Sequence, residues 1–161
     1  MNDKDLLKGK KILIVDDEID ILESIKDLLT MCEVETASTF EQASELLING
    51  TFDIAILDIM GVNGHKLLEI ANEQNITAVM LTAHALSPEE TIKAHKGGAA
   101  SYIPKEEMIN ITIYLKDVLE AKALENSPWL RWMDRFADFY MKKFGPDWKN
   151  KDIEFWRDFP N

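Results

Sequence analysis

Short apolar runs alternate along this chain with segments whose apolar residues recur every three or four positions. KILIV at 11–15 is apolar almost throughout, as a strand buried on both faces requires, and Ile21, Leu22, Ile25, Leu28 and Leu29 follow at helical spacing. VETA at 34–37 predicts a second, shorter strand. Thr39 is placed to cap a helix running through Leu47, which Asn49 and Gly50 stop. The alternation repeats with DIAIL at 53–57, a helix over 66–73, and ITAVML at 76–81. Ser87, Pro88 and Glu90 then supply an N-cap, a proline at the first helical position and the reciprocal acid three residues after the cap. Gly97 and Gly98 end that helix before ASYI at 100–103, and a further helix is predicted from about 106 to 124. Five strands, each followed by a helix, predict an α/β fold: a doubly wound, five-stranded parallel sheet with right-handed crossovers and helices on both faces.

Residues 126–161 have a different character and divide the chain into an α/β domain over 1–125 and a helical extension. The extension holds all four tryptophans and ten of the fourteen aromatic side chains. Ser127 and Pro128 start a helix that Gly145 and Pro146 stop, and the segment 152–159 adds another turn or two. Trp129, Trp132, Met133, Phe136, Tyr140 and Phe144 form one stripe at helical spacing. The simpler reading is an element packed on the domain's own surface, since amphipathic stripes usually bury in their own core. The sharper one is a partner or self-association surface, because aromatic residues and arginine are enriched at interface centres.

Composition narrows the function classes. A formal net charge of −11 and the lack of any dense Lys/Arg run argue against nucleic acid or an anionic membrane as partner. The extension, with seven basic against six acidic residues, lacks the cationic face of a membrane-surface helix and is too short for a winged-helix DNA-binding domain. The single cysteine, Cys32, makes no internal disulfide and reads as a small, partly buried apolar residue; with a polar N-terminal stretch and no run approaching ~20 apolar residues, the expected location is the cytoplasm.

Acidic residues end two of the predicted strands: Asp16 and Asp17 close the first and Asp58 the third, while Lys105 lies just past the fifth. Parallel neighbours share their carboxyl edge, where open α/β sheets bind ligands. Crowded carboxylates repel one another and call for a divalent cation, usually Mg²⁺, whereas a lysine suits a phosphoryl oxygen. The pattern points to phosphoryl transfer.

These residues, with Thr82 and small Ala83 after the fourth strand and Tyr102 three positions before Lys105, resemble the receiver domain of two-component response regulators, over roughly residues 10–124. The resemblance implies a CheY-like sheet order of 2-1-3-4-5, with the first and third strands adjacent. It implies Asp58 as nucleophile and phosphorylation site, Mg²⁺ held by Asp17 directly, by Asp16 through water, by Asp58 and by the backbone carbonyl of Met60, and Lys105 and the Thr82 hydroxyl on phosphoryl oxygens. It also implies Thr82 and Tyr102 as a switch that alters the surface of the fourth helix, fifth strand and fifth helix. The phosphoryl donor would be a sensor histidine kinase or phosphotransfer protein, the output an unknown downstream protein. No enzymatic activity is expected beyond self-phosphorylation from a phospho-donor and slow self-dephosphorylation.

Three departures qualify the resemblance. The family's proline after the nucleophile is missing and the next glycine, Gly64, comes six residues on rather than eight, which shortens the loop over the site. Proline precedes Lys105 rather than following it. Met60 and His84, at the variable positions near the reaction centre, are bulky, Met60 cannot orient a water, and a long phosphoryl lifetime is expected. Rival readings fit less well. A dehalogenase-like phosphatase wants a second acid where Met60 stands, a flavodoxin-like FMN site would be repelled by Asp16-Asp17-Glu18, and neither a Gly-x-Gly-x-x-Gly nor a Walker loop is present. His65, His84 and His95 lack ligand spacing and read as surface or helix-face residues. A constitutive interaction module on the same scaffold, or a small autonomous phosphatase, are the remaining alternatives.

Overall fold

The computed structural model describes residues 6–83 and 87–159. Five strands, β1 (Lys11–Val15), β2 (Glu33–Ala37), β3 (Ile54–Asp58), β4 (Thr77–Thr82) and β5 (Ser101–Pro104), form one parallel sheet in the order β2-β1-β3-β4-β5. The helices between them are α1 (Ile19–Leu28), α2 (Phe40–Asn49), α3 (Gly64–Glu73) and α4 (Pro88–Lys96), and α5 (Ile111–Ala123) follows β5. This is the doubly wound α/β fold read from the alternation. The central strand β3 is buried at all five positions, whereas edge strand β2 carries exposed Glu33 and Glu35, charges that discourage pairing with another chain.

Local signals set the helix ends. Thr39 Oγ1 accepts the Gln42 N–H at 3.2 Å, and Ser87 Oγ accepts that of Glu90 at 3.0 Å, each satisfying one orphan donor of a first turn. The Glu90 carboxylate faces His65 on α3 at 3.5 Å, the contact it makes in place of the expected return to its own cap. A second difference lies after β5. Residues Lys105–Asn110 form a 3₁₀ helix and α5 begins only at Ile111, so the helix expected from 106 starts as a tighter coil.

Beyond α5, Glu125 takes a left-handed conformation (φ 56°) and turns the chain into α6 (Trp129–Phe144), which Gly145 (φ 84°) ends; α7 (Ile153–Asp158) follows a short 3₁₀ turn. Trp129, Trp132, Phe136 and Tyr140 are buried, Met133 is half-buried, and Phe144 at the end of the stripe is exposed. The stripe packs on the domain's own surface, as the simpler reading had it. The indole N–H of Trp129 donates to the Ala99 carbonyl and that of Trp132 to the Tyr102 carbonyl, both at 2.9 Å, so two tryptophans satisfy carbonyls along the β5 edge. Tyr140 hydrogen-bonds Thr91 on α4, and Phe136 lies against Tyr114 on α5. His95, on α4, is half-buried among Trp129, Phe155 and Phe159 at ring separations of 5.2–5.3 Å, a helix-face residue as expected.

One buried acid ties α6 to α5. Asp117 accepts from Arg135 Nε at 2.9 Å and Nη2 at 3.1 Å, and from Arg131 Nη1 at 3.2 Å. A paired carboxylate that loses its partners is costly, but both arginines are partly solvated, which reduces the loss. Asp117→Ala is expected to lower the unfolding free energy by about 2 kcal/mol, measured by urea titration followed through tryptophan fluorescence.

Candidate functional site

The register of the sheet builds the site. Val15 pairs with Leu57, Asp58 with Leu81 and Thr82 with Pro104, so Asp16, Asp58, Thr82 and Lys105 reach one carboxyl edge together. Asp16 extends β1 through its N–H to the Ala37 carbonyl, and its Oδ1 accepts the Glu18 N–H at 2.9 Å, which fixes the carboxylate inward. Asp17, next along, is exposed. The carboxylate oxygens of Asp16, Asp17 and Asp58 lie within 4.8 Å of one another.

Lys105 brings the counter-charge. Its Nζ stands 2.8 Å from Asp16 Oδ2, 3.3 Å from Glu18 Oε2 and 3.5 Å from Asp58 Oδ1. Glu18 as a partner of this ammonium was not read from the sequence, although its place beside two aspartates was the available signal. Burial works to lower the lysine pKa, but the neighbouring carboxylates, Asp16 foremost, outweigh it and raise it. Burial likewise raises Asp16. Asp58 is pushed up to about 6, first by burial and then by the Asp16 charge, with Lys105 opposing and Asp17 adding to the rise.

The loop after β3 is short, and glycines make it possible. Gly64 packs so closely under β3 that a Cβ there would lie 2.2 Å from the Asp58 carbonyl oxygen. Gly61 and Asn63 both adopt positive φ (63° and 55°), and a Cβ on Gly61 would meet the Asp17 carboxylate at 2.6 Å. The Met60 carbonyl accepts the Val62 N–H within this turn, while its side chain is exposed. Thr82 is buried at the end of β4 and hydrogen-bonds Tyr102, whose ring is 1% exposed and whose pKa burial drives upward. Met60, His65, Thr82, Glu90 and Tyr102 line a cleft of about 320 Å³ beside the acidic cluster. His84 lies outside the described residues.

The donor set fits a hard divalent cation. Three carboxylates offer only oxygen, and the buried Asp16 Oδ2 has the Lys105 ammonium at 2.8 Å as its partner. Oxygens on opposite sides of Mg²⁺ are ~4 Å apart, close to the spread already present. Asp16, Asp17 and Asp58 are thus the residues that would hold it.

A parallel sheet in this order, with acids and a lysine at its switch-point edge, defines a CheY-like signalling fold. The chain matches the response regulator receiver domain over residues 12–113, and it belongs to that family. It is 35% identical over 114 residues to the two-component response regulator ARR10 of Arabidopsis thaliana, covering 64% of this chain and 20% of that protein. It is 36% identical over 101 residues to the heme response regulator HssR of Staphylococcus haemolyticus, covering 59% of this chain and 44% of that protein. The chain therefore spans less than half the length of these relatives. Among solved structures, a CheY-like receiver domain protein from Methanospirillum hungatei superposes with a TM-score of 0.65 at 30% identity, covering 74% of this chain and all of that one. A BeF3-activated DrrB receiver domain gives 0.62 at 25% identity, over 70% of this chain and 98% of that one. Receiver domains bind Mg²⁺ at such an acidic pocket, and among the described residues no helix is long and apolar enough to cross a membrane.

Asp58 generates a test of the electrostatics. With its folded pKa raised from 3.8 to about 6, protonation favours the fold: that contribution is complete below pH 3.8 and is lost as pH rises through 6. At neutral pH the metal-free protein therefore carries a penalty on the order of 3 kcal/mol in the ionised Asp58. Asp58→Asn is expected to raise the thermal midpoint of metal-free protein at pH 7.5 and to leave it nearly unchanged at pH 4, in paired melting curves.

Proposed function

We infer that this chain is a response regulator that accepts a phosphoryl group on Asp58. The observation that carries the reading is the buried Asp58 carboxylate at the end of β3, with two further carboxylates within 4.8 Å and the Lys105 ammonium at 3.5 Å. An oxygen of Asp58 attacks phosphorus as the bond from phosphorus to the donor's imidazole nitrogen breaks, leaving an aspartyl phosphate and a neutral histidine after proton uptake. The donor is a sensor histidine kinase or phosphotransfer protein, by the chemistry of the family. Asp16, Asp17, Asp58 and the Met60 carbonyl would hold Mg²⁺, which when bound would neutralise charge on the transferring group. Lys105 leaves its pairing with Asp58 for a phosphoryl oxygen, and the Thr82 hydroxyl donates to another. The exposed, apolar Met60 at the mouth of the cleft orients no water, which favours slow hydrolysis of the product. Beyond this self-phosphorylation and self-dephosphorylation the chain catalyses nothing, and it works in the cytoplasm through contact with a downstream protein.

The alternative, a constitutive interaction module, predicts no labelling. Acetyl phosphate with Mg²⁺ should add one phosphoryl group to the intact protein, detected by mass, and Asp58→Asn should abolish the addition. A chain that stays unlabelled under these conditions is a module and not an acceptor. Lys105→Ala is expected to leave Mg²⁺ affinity within about threefold of wild type while slowing labelling at least tenfold, since the ammonium answers the phosphoryl group more than it builds the metal site. Calorimetry and labelling rates on the same preparation read both quantities.

A further inference from the structure

At the amino ends of β4 and β5, the far end of the strands from Asp58, lies a groove of about 730 Å³. Three helices finish beside it in the same way. The N–H groups of Ile76, Ala99 and Asn126 donate to the carbonyls of Ala71, Ala94 and Ala121, five residues back in each case. One position earlier a residue with positive φ, Asn75, Gly98 or Glu125, donates to the carbonyl three residues back. This is the Schellman closure, and it satisfies the last carbonyls of α3, α4 and α5 within their own turns. The negative ends of three helices are thereby muted at a place where they would otherwise repel an anion.

The floor of the groove is apolar, made by Ile76, Ala78, Ala99 and Val118. The extension builds one wall from Ser127, Pro128 and Trp129, whose indole is fixed by the Ala99 carbonyl. Asn75, Asn126 and Thr77 bring uncharged groups that donate and accept hydrogen bonds. Lys122 and His95 are the ionisable side chains of the lining, and no acid joins them although the chain holds 29. Lys122 Nζ donates to Thr77 Oγ1 at 3.3 Å and, among the described residues, pairs with no carboxylate. An ammonium has three donors, so two are left for a ligand. One ammonium also answers one negative charge. A phosphate monoester would bring a second into a chain of net charge −11, whereas a carboxylate brings only the one that Lys122 can meet.

We propose that this groove binds a small organic monocarboxylate, its apolar body on the floor and its carboxylate on Lys122, with the amides of Asn75 and Asn126 within the same rim. The volume falls in the range of small-molecule pockets, and an apolar floor with a few polar groups at the edge is their usual make-up. The groove shares no residue with the acidic cluster, so the assignment stands apart from the phosphoryl-acceptor reading. A ligand there touches the α/β domain and the extension at once, which gives the turn from α5 into α6 a binding role beside its packing.

The test titrates the full chain with 1-naphthoate and follows backbone amide signals by NMR. Saturable shifts are expected over residues 72–78, 97–100 and 122–129 and not at the acidic edge, with a Kd of about 1 mM, the affinity that ordinary contact efficiency gives a ligand of this size. Lys122 is exposed, so folding is not at stake when it is replaced. Lys122→Gln should weaken binding about tenfold and Lys122→Arg should keep it near the wild-type value, as loss and retention of a charge-assisted hydrogen bond require. Asn126→Asp, which sets a carboxylate on the rim, should weaken it about fivefold. Lys142→Gln, a charge change of the same size on exposed α6 surface outside the groove, should leave it unchanged. The uncharged analogue 1-naphthalenemethanol should bind at least about tenfold more weakly than the acid. Naphthoate that gives no saturable shift at the groove, an alcohol that binds as tightly as the acid, or wild-type affinity in Lys122→Gln overturns the proposal.

Discussion

Two carboxylates, Asp16 and Asp58, are buried at neighbouring strand ends with a single ammonium between them, and much of the molecule is arranged around that imbalance. The β1–β3 register places the acids side by side, and burial strengthens their repulsion by removing the water that would screen it. Lys105 answers both, which requires β5 to end where it does and the chain to turn at once into a tight coil. Gly64 lets α3 begin directly beneath Asp58, so the loop beyond the acid is too short to wander. The site is held under electrostatic tension by a rigid frame, and a divalent cation that engages those carboxylates would relieve it.

The opposite concern governs the outer edge of the sheet. Where β2 is protected by charge, β5 is protected by cover: α6 lays two indoles on its carbonyls and an aromatic cluster over its flank. Both edges face the same hazard and solve it by different chemistry. The second solution has a side effect, because the cover touches the one strand that carries both Tyr102 and the approach to Lys105.

Much of this was legible in the sequence because each signal was local. Unbroken apolar runs marked β1, β3 and β4, a threonine and a serine marked two helix starts, and the acids fell at strand ends that the resemblance to receiver domains set side by side. The extra helix and its apolar stripe followed from end signals and spacing, with burial on the domain the simpler of two readings. What the sequence withheld depended on distance in space. Glu18 as a partner of Lys105 is a contact across 87 residues. The 3₁₀ coil of 105–110 keeps an apolar spacing close to that of an α-helix, so periodicity could not separate them. The stripe announced burial without saying against which face, since Trp129 and Trp132 are chosen by carbonyls whose accessibility no pattern encodes. Glu90 carried a capping signature whose second half went to His65, an acid claimed by a tertiary neighbour instead of its own helix.

The covering of β5 also has a consequence for synthesis. All five strands have been made once Pro104 is added, but the carbonyls of Ala99 and Tyr102 wait for side chains thirty residues downstream. Chains begin to fold while they are still being made, and at ordinary elongation rates thirty residues take on the order of a few seconds. For that interval a nascent chain displays an open strand edge that the finished protein does not have. The tryptophans thus act as a late seal, and a ribosome that stalls between the sheet and α6 leaves a product able to recruit other chains through backbone pairing alone.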